Sequence, residues 1–326
     1  MFTKRFLVYS LLVLFALLSI AVFGQQRGER LKKILEQRRG AQTSNSPASG
    51  EINIDGKRRT YLVHLPPNYS KEKPLPLVLA FHGGGGNAQN MVNMSGFSQK
   101  ADKENFIVVY PNGSGRTDNI LLTFNAIGCC SYAMQQNIDD VKFVSELIDK
   151  ISAEYAVDTK RVYATGFSNG GLISNRLGAE LSHKITAIAP VSGTIFESSP
   201  KPKGKVAVLI IHGMKDTAVP YQGGNSQRSL VSSNQSEPFK SVAYTANYWA
   251  KNNNCQENSA KTNDGKLIRE KFSGCNSGNE VEVISIIDGE HAWAGGARGR
   301  SSGDAPSNAI NATDEIWEFF KRHKKP

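Results

Sequence analysis

From Glu51 onward, apolar and polar positions follow two rhythms. Ile52 and Ile54 flank Asn53, the dipeptide Asp55-Gly56 follows, and Tyr61, Val63 and Leu65 then recur at every second position. Alternation on both sides of an Asp-Gly turn predicts a β-hairpin. Beyond it, short apolar runs at 77–81, 107–110, 162–164, 185–191, 206–211 and 281–287 are interleaved with segments of helical period at 138–155, 171–181, 239–251 and 309–321. Apolar runs without strict alternation mark strands covered on both faces, and strands alternating with helices argue for a mainly parallel sheet. The expected fold class is α/β, with a mainly parallel central sheet, helices on both faces and an N-terminal antiparallel hairpin, in one domain over 48–326.

The start of the chain has a different pattern. Lys4 and Arg5 precede an apolar run over 6–23, and small residues near Val22-Phe23-Gly24 suit a signal peptidase. Residues 1–24 are therefore expected to be a signal peptide cleaved after Gly24. An uncleaved anchor is the competing reading, because the run approaches the roughly 20 residues that span a bilayer. Either way the rest of the chain lies outside the cytoplasm, secreted or periplasmic. Residues 25–47 read as a basic, polar arm with too few apolar residues to pack.

Charge gains meaning only once it is located. The 326-residue chain carries a formal +10, but the first 44 residues hold eight Lys or Arg against two Glu. The remainder has 31 basic and 27 acidic residues, a net +4. A field that weak does not steer polyanions, so nucleic acid is excluded as a partner, and a membrane is one only if the leader stays on. Four cysteines suit disulfides in an exported chain. Cys255 and Cys275 flank a polar stretch that a local bridge would staple. A bond between the adjacent Cys129 and Cys130 would need an unusual backbone geometry. Free buried thiols remain the alternative.

The chemistry is concentrated in one pentapeptide and its surroundings. Gly166-Phe167-Ser168-Asn169-Gly170 matches G-x-S-x-G, with a strand candidate before it and a helix candidate after it. Strand, sharp turn and helix form a nucleophile elbow, in which the serine takes a strained conformation and presents its hydroxyl above the sheet. Such a serine requires a later histidine as base and an acid between the two in sequence. Of six histidines, His323, His64 and His183 read as surface or packing residues. His82 and His212 end apolar strands in His-Gly pairs and read as shaping loops near the site. His291 follows the last apolar strand and is the expected base. Asp216, after the run at 206–211, is the expected acid. Asp288 competes but shares a turn with His291, and Glu290 points away. The glycines after His82 offer oxyanion donors from Gly83 and Gly84, with the N–H of Asn169 as the other donor. No Gly-Lys-Ser/Thr ending supports a phosphate loop. His82 and Trp293 are candidate pocket residues, and Tyr132 and Tyr221 are candidate walls. No metal ligand set and no cofactor is expected.

Taken in order, several segments resemble the extracellular esterase family that includes polyhydroxybutyrate depolymerases, feruloyl esterases and acetyl xylan esterases. They are Leu65-Pro66-Pro67, the His82 glycine loop, Tyr110-Pro111, the segment from Asn125 to Cys130, Ile138-Asp139-Asp140-Val141, the elbow, the Asp216 strand end and Gly289-Glu290-His291-Ala292-Trp293. The resemblance implies an α/β-hydrolase fold, a serine acyl-enzyme without cofactor, and small or oligomeric esters derived from plant polysaccharide or 3-hydroxybutyrate polyester. Ala294 stands where the family usually has proline, which implies a differently shaped cleft on that side. No polymer-binding module is visible in these residues, which favours soluble or oligomeric esters. A serine peptidase on the same scaffold and a non-catalytic binding protein on a hydrolase fold are the alternatives.

Overall fold

Asp55 and Gly56 both adopt left-handed backbone, with φ of 52° and 77°, as a two-residue type I′ turn requires. They join β1 (Ala48–Ile54) to β2 (Lys57–His64) in an antiparallel hairpin, with Ile54 opposite Lys57. This computed structural model describes residues 46–326. The leader expected over 1–24 and nearly all of the arm expected over 25–47 lie outside the described residues.

The chain continues through β3 (Leu75–Phe81), α1 (Ala88–Ser95), α2 (Phe97–Glu104), β4 (Ile107–Pro111), α3 (Ser131–Gln135), α4 (Asp140–Glu154) and β5 (Val157–Phe167). It then forms α5 (Asn169–Glu180), β6 (Ala187–Val191), β7 (Ala207–Gly213), α6 (Ser229–Ser232) and α7 (Val242–Asn252). Last come β8 (Ser259–Asn263), β9 (Leu267–Phe272), β10 (Val281–Ile286) and α8 (Ala312–Lys321). The strands form one sheet in the order β1-β2-β4-β3-β5-β6-β7-β10-β9-β8. The six from β4 to β10 are parallel, and an antiparallel hairpin closes each end. The mainly parallel sheet and opening hairpin are as expected. The second hairpin, β8–β9, was not anticipated.

Period-two side-chain alternation divides the core into two layers. In β3, Leu77, Leu79 and Phe81 pack into one apolar cluster with Phe143 and Leu147 of α4, Leu172 of α5 and Trp249 of α7. Val78 and Ala80 face the other, with Met91 of α1, Phe97 of α2 and Phe320 of α8. Both faces of the parallel strands are thus covered, and for that reason their sequences read as unbroken apolar runs. Side-chain caps set the helix starts: Asp139 accepts from the Lys142 N–H, Ser241 from Tyr244 and Asn311 from Asp314.

Chain direction determines where a site can form. From β3 the chain moves to β4 on one side, then returns to place β5 on the other side of β3. The loops leaving β3 and β5 therefore border the crevice where strand order reverses, the usual ligand position on an open parallel sheet. A buried ion pair fixes the segment that closes this crevice. Arg59 Nη2 donates to Asp140 Oδ1 at 2.6 Å, and the other carboxylate oxygen accepts from the Asn125 N–H at 2.7 Å.

Candidate active site

Ser168 occupies the junction between β5 and α5 with φ 56° and ψ −119°, a conformation that costs a non-glycine residue energy. The surrounding glycines make this tight turn possible. A Cβ on Gly170 would lie 2.2 Å from the Phe81 carbonyl oxygen, and one on Gly166 would lie 2.5 Å from that of Gly170. Only a missing side chain lets α5 start so close to the end of β3. The Ser168 N–H is anchored on the Val191 carbonyl at 2.9 Å, which directs the hydroxyl away from the sheet.

The hydroxyl meets His291. Ser168 Oγ and His291 Nε2 are 2.9 Å apart, and His291 Nδ1 is 2.7 Å from Asp216 Oδ2. With Nδ1–H donating to the carboxylate, Nε2 is left as the acceptor for the serine proton. Asp216 is buried and its other oxygen accepts the N–H groups of Ala218 and Val219, each at 2.8 Å. Burial alone would raise this carboxyl, but the charge of His291 and hydrogen bonds from His212 and His291 hold it well below the usual carboxylate range. His212 donates from Nε2 to the Val219 carbonyl at 2.8 Å, with Asp216 Oδ2 at 3.3 Å. Asp288 is excluded from this chain of groups: it is largely exposed and pairs with Lys215.

The glycine loop lies against the elbow. A Cβ on Gly83 would be 3.5 Å from Ser168 Cβ, and one on Gly84 would be 3.5 Å from Asn169 Cβ. Gly85 and Gly86 use their N–H groups on the carbonyls of Leu122 (2.7 Å) and Gly83 (3.0 Å). Those of Gly83 and Gly84 have no acceptor among the described residues. Asn169 opens α5, where a backbone N–H has no intrahelical partner. Its side chain is occupied elsewhere, bonding both backbone groups of Phe124 at 2.7 and 2.9 Å.

His82 aligns this loop from behind. The Gly113 N–H donates to its Nε2 at 3.0 Å, so Nδ1 carries the proton and donates to the Gly83 carbonyl at 2.8 Å. That carbonyl and the Gly84 N–H belong to one rigid peptide group, so His82 sets the direction in which Gly84 points. Burial pushes the imidazole down to about 4, against the opposing effect of the Gly83 carbonyl, and the ring is neutral near pH 7.

A cavity of about 430 Å³ opens at Ser168. Met91, Met94, Leu172, Val219 and Phe239 give it apolar walls, and the exposed Leu121 and Leu230 stand at its rim. Trp293 reaches it only as part of the core: the residue is 1% exposed, its Nε1 donates to Thr313 Oγ1 at 3.1 Å, and its ring meets Phe97 edge-on. Tyr132 and Tyr221, expected as walls, do not line it. Tyr221 instead bonds Ser285 Oγ at 2.7 Å and packs its ring against His212, behind the acid. Sequence reasoning missed Arg228, Arg300 and Asp304 on the cavity wall. These are ordinary charged residues in irregular loops, and no spacing singles them out.

Cys255 is bridged to Cys275, and Cys129 to its neighbour Cys130, with a cis peptide bond between the latter two. Cys130 is part of the cavity wall. No cluster of three or more metal-ligating side chains occurs among the described residues.

Comparison with known proteins adds the family. Residues 52–271 match the family described as "Esterase: Putative esterase". The chain belongs to that esterase family. It is 29% identical over 275 residues to feruloyl esterase B of Piromyces equi, covering 82% of this chain and 46% of that protein. It is 26% identical over 273 residues to feruloyl esterase D of Neurospora crassa, covering 83% and 84%. The chain thus spans under half of the first relative and most of the second. Among solved structures, an acetyl xylan esterase from Aspergillus awamori superposes with a TM-score of 0.57 at 14% identity, over 84% of this chain and 99% of that one, a likeness of fold. The α/β-hydrolase architecture expected from the elbow is therefore the one observed, and membership in an esterase family sets aside the binding-protein alternative.

Proposed function

We propose that this protein is an exported serine esterase that hydrolyses feruloyl-type esters of plant polysaccharide or its oligomers. The observation that carries the reading is a hydrogen-bonded chain from Ser168 through His291 to Asp216 that opens directly into the apolar cavity. In this mechanism His291 Nε2 takes the Ser168 proton as Oγ attacks the ester carbonyl. The oxyanion is received by backbone N–H groups of Asn169 and of Gly83 or Gly84, and the tetrahedral intermediate collapses as His291 returns the proton to the departing alcohol oxygen. A water molecule, deprotonated by the same imidazole, then cleaves the acyl–serine bond and releases the carboxylic acid. Asp216 keeps Nδ1 protonated and stabilises the imidazolium formed in each half-reaction.

The acyl preference rests on size and chemistry. About 430 Å³ falls within the range of small-molecule sites, roughly 300–1,000 Å³, and far exceeds what an acetyl group fills. Met91 and Met94 offer polarizable sulfur to an aromatic ring. The feruloyl esterases among the relatives agree with an aromatic acyl group. Rates of hydrolysis of methyl ferulate, acetylated xylan, 3-hydroxybutyrate oligomers and p-nitrophenyl acetate test both parts. Wild type is expected to have its highest kcat/KM on methyl ferulate, and Ser168→Ala to lose on the order of 10⁴-fold or more on every substrate. A Ser168→Ala protein within tenfold of wild type would remove the serine from the mechanism. A higher kcat/KM on acetylated xylan or the hydroxybutyrate oligomers would overturn the acyl assignment and leave the serine mechanism standing.

A further inference from the structure

His291 and Asp216 must stay in register, although they come from separate loops beyond β10 and β7. The chain after His291 is a poor support on its own. It carries Gly295, Gly296, Gly299 and Gly303, and Gly295 takes φ 71°. What closes this stretch is Asp304, whose Oδ2 accepts the backbone N–H of His291 at 3.0 Å. The same oxygen accepts from Arg228 Nη2. Arg228 in turn donates from Nε to Thr217 Oγ1 at 3.0 Å, and the Gln227 N–H binds the Thr217 carbonyl at 2.9 Å. Thr217 adjoins Asp216 in the chain. One carboxylate oxygen therefore links the backbone of the base to the residue after the acid. Both side chains are half-buried, Arg228 33% and Asp304 19% exposed, where desolvation offsets part of an ion pair's attraction.

From this arrangement we propose that Asp304 and Arg228 are positioning residues of the esterase reaction, a salt-bridge clamp that fixes His291 against Asp216 and balances the charge around the imidazole. The proposal rests on the serine mechanism above. The other charged or titratable groups around His291 are Asp216, His212 and the Lys215–Asp288 pair from its neighbouring loops, Glu290 beside it in sequence, and Arg300 and His82 at the glycine loop. With both clamp residues present, their opposite charges offset one another in part near the base. Losing one leaves the other uncompensated, with an effect whose sign can be foreseen. Asp304→Asn leaves a cation, which opposes protonation of the base and moves the acid limb of the kcat/KM profile to lower pH. Arg228→Gln leaves an anion, which favours protonation and moves that limb to higher pH.

The test uses p-nitrophenyl acetate, too small to depend on the outer cavity, with wild type, Asp304→Asn, Arg228→Gln and the double variant. Each single variant is expected to lose tenfold or more in kcat with KM within about twofold, because a displacement of the base near 1 Å costs roughly 100-fold. The acid limbs should move in opposite directions by about half a pH unit. In the double variant the limb should return towards the wild-type position while kcat stays low. Limbs that do not move, or that move the same way in both single variants, would overturn the clamp. So would a kcat within twofold of wild type in both. Ser168→Ala measured alongside separates the two ideas, since its inactivity beside unaffected clamp variants sinks only the clamp. If Asp304→Asn does not fold, Asp304→Glu and Arg228→Gln carry the same comparison, with recovered kcat expected in the first and an upward limb shift in the second.

Discussion

At the scale of single residues, His82 shows how a site-building group burdens stability. It is neutral in the fold because burial pushes it down to about 4, whereas the unfolded chain titrates it near 6.5. Below pH 6.5 the unfolded state takes up a proton that the folded state refuses until about pH 4. The stability that neutral His82 contributes is therefore complete above pH 6.5 and is lost as pH falls towards 4, by about 3 kcal/mol in total. His323, also lowered to about 4 by burial, adds a slope of the same sign. Asp216 acts only below this window, since its carboxyl is held low and its stabilisation is lost on protonation in stronger acid. Urea unfolding at pH 7 and pH 4.5 should thus show a marked loss for wild type and about half that loss for His82→Gln; parallel losses in the two proteins would contradict the assignment. The role of His82 as a loop-shaping residue was legible in its His-Gly position at a strand end. Its tautomer was not, because Nε2 is committed by the Gly113 N–H, and no local pattern announces a partner so distant in the chain. By contrast Ser168, Asp216 and His291, which the structure brings into one hydrogen-bonded chain, each lie near a strand end marked by a motif, whereas no motif marks Asp304 or Arg228.

Among elements, those buried on both faces were readable and those with wet faces were not. β7 is buried at every position and its sequence is a plain apolar run. β8 is exposed at four of five positions, so its strand pattern is written in Lys261 and Thr262 and carries no hydrophobic period. Its one legible signal was Asp264-Gly265 at the turn, with Gly265 at φ 86°. Helices α1 and α2 escaped notice because each is short and they abut at Gly96, which ends the first and precedes the second in left-handed conformation. The β8–β9 hairpin hangs at the sheet edge, and the Cys255–Cys275 bridge spans it with a sequence separation of 20. Closing a loop of that length stabilises a fold by about 3 kcal/mol through the unfolded state. None of the residues around the cavity comes from β8 or β9. Replacing both cysteines by serine should therefore lower the unfolding free energy by about that amount and leave kcat/KM on methyl ferulate within twofold. A large loss of activity in the still-folded variant would show that the hairpin supports the site.

For the whole molecule, the basic excess and the disulfides bear on where the protein works. Lys4 and Arg5 followed by an apolar run over 6–23 have the pattern of the proposed secretory leader, and cleavage after Gly24 would remove two of the 39 basic residues. Six more basic residues lie between there and position 45, and the residues after 44 carry only a modest net +4. A neutral ester gains nothing from a strong field, in keeping with the proposed recognition of the substrate by an apolar cavity. Bridges such as Cys129–Cys130 and Cys255–Cys275 form and persist in oxidising compartments, and one of them forms part of the cavity wall. If the protein is exported as proposed, export and assembly of the pocket are coupled: protein held in a reducing cytoplasm is expected to lack the Cys129–Cys130 bond at the cavity wall. Expression of the full chain in a host with a secretory route should yield protein outside the cytoplasm whose intact mass begins at Gln25 and is four hydrogens lighter than the reduced chain. Recovery of the full-length mass in the membrane fraction would instead establish the leader as an anchor, while free thiols in active exported protein would break the link between compartment and pocket.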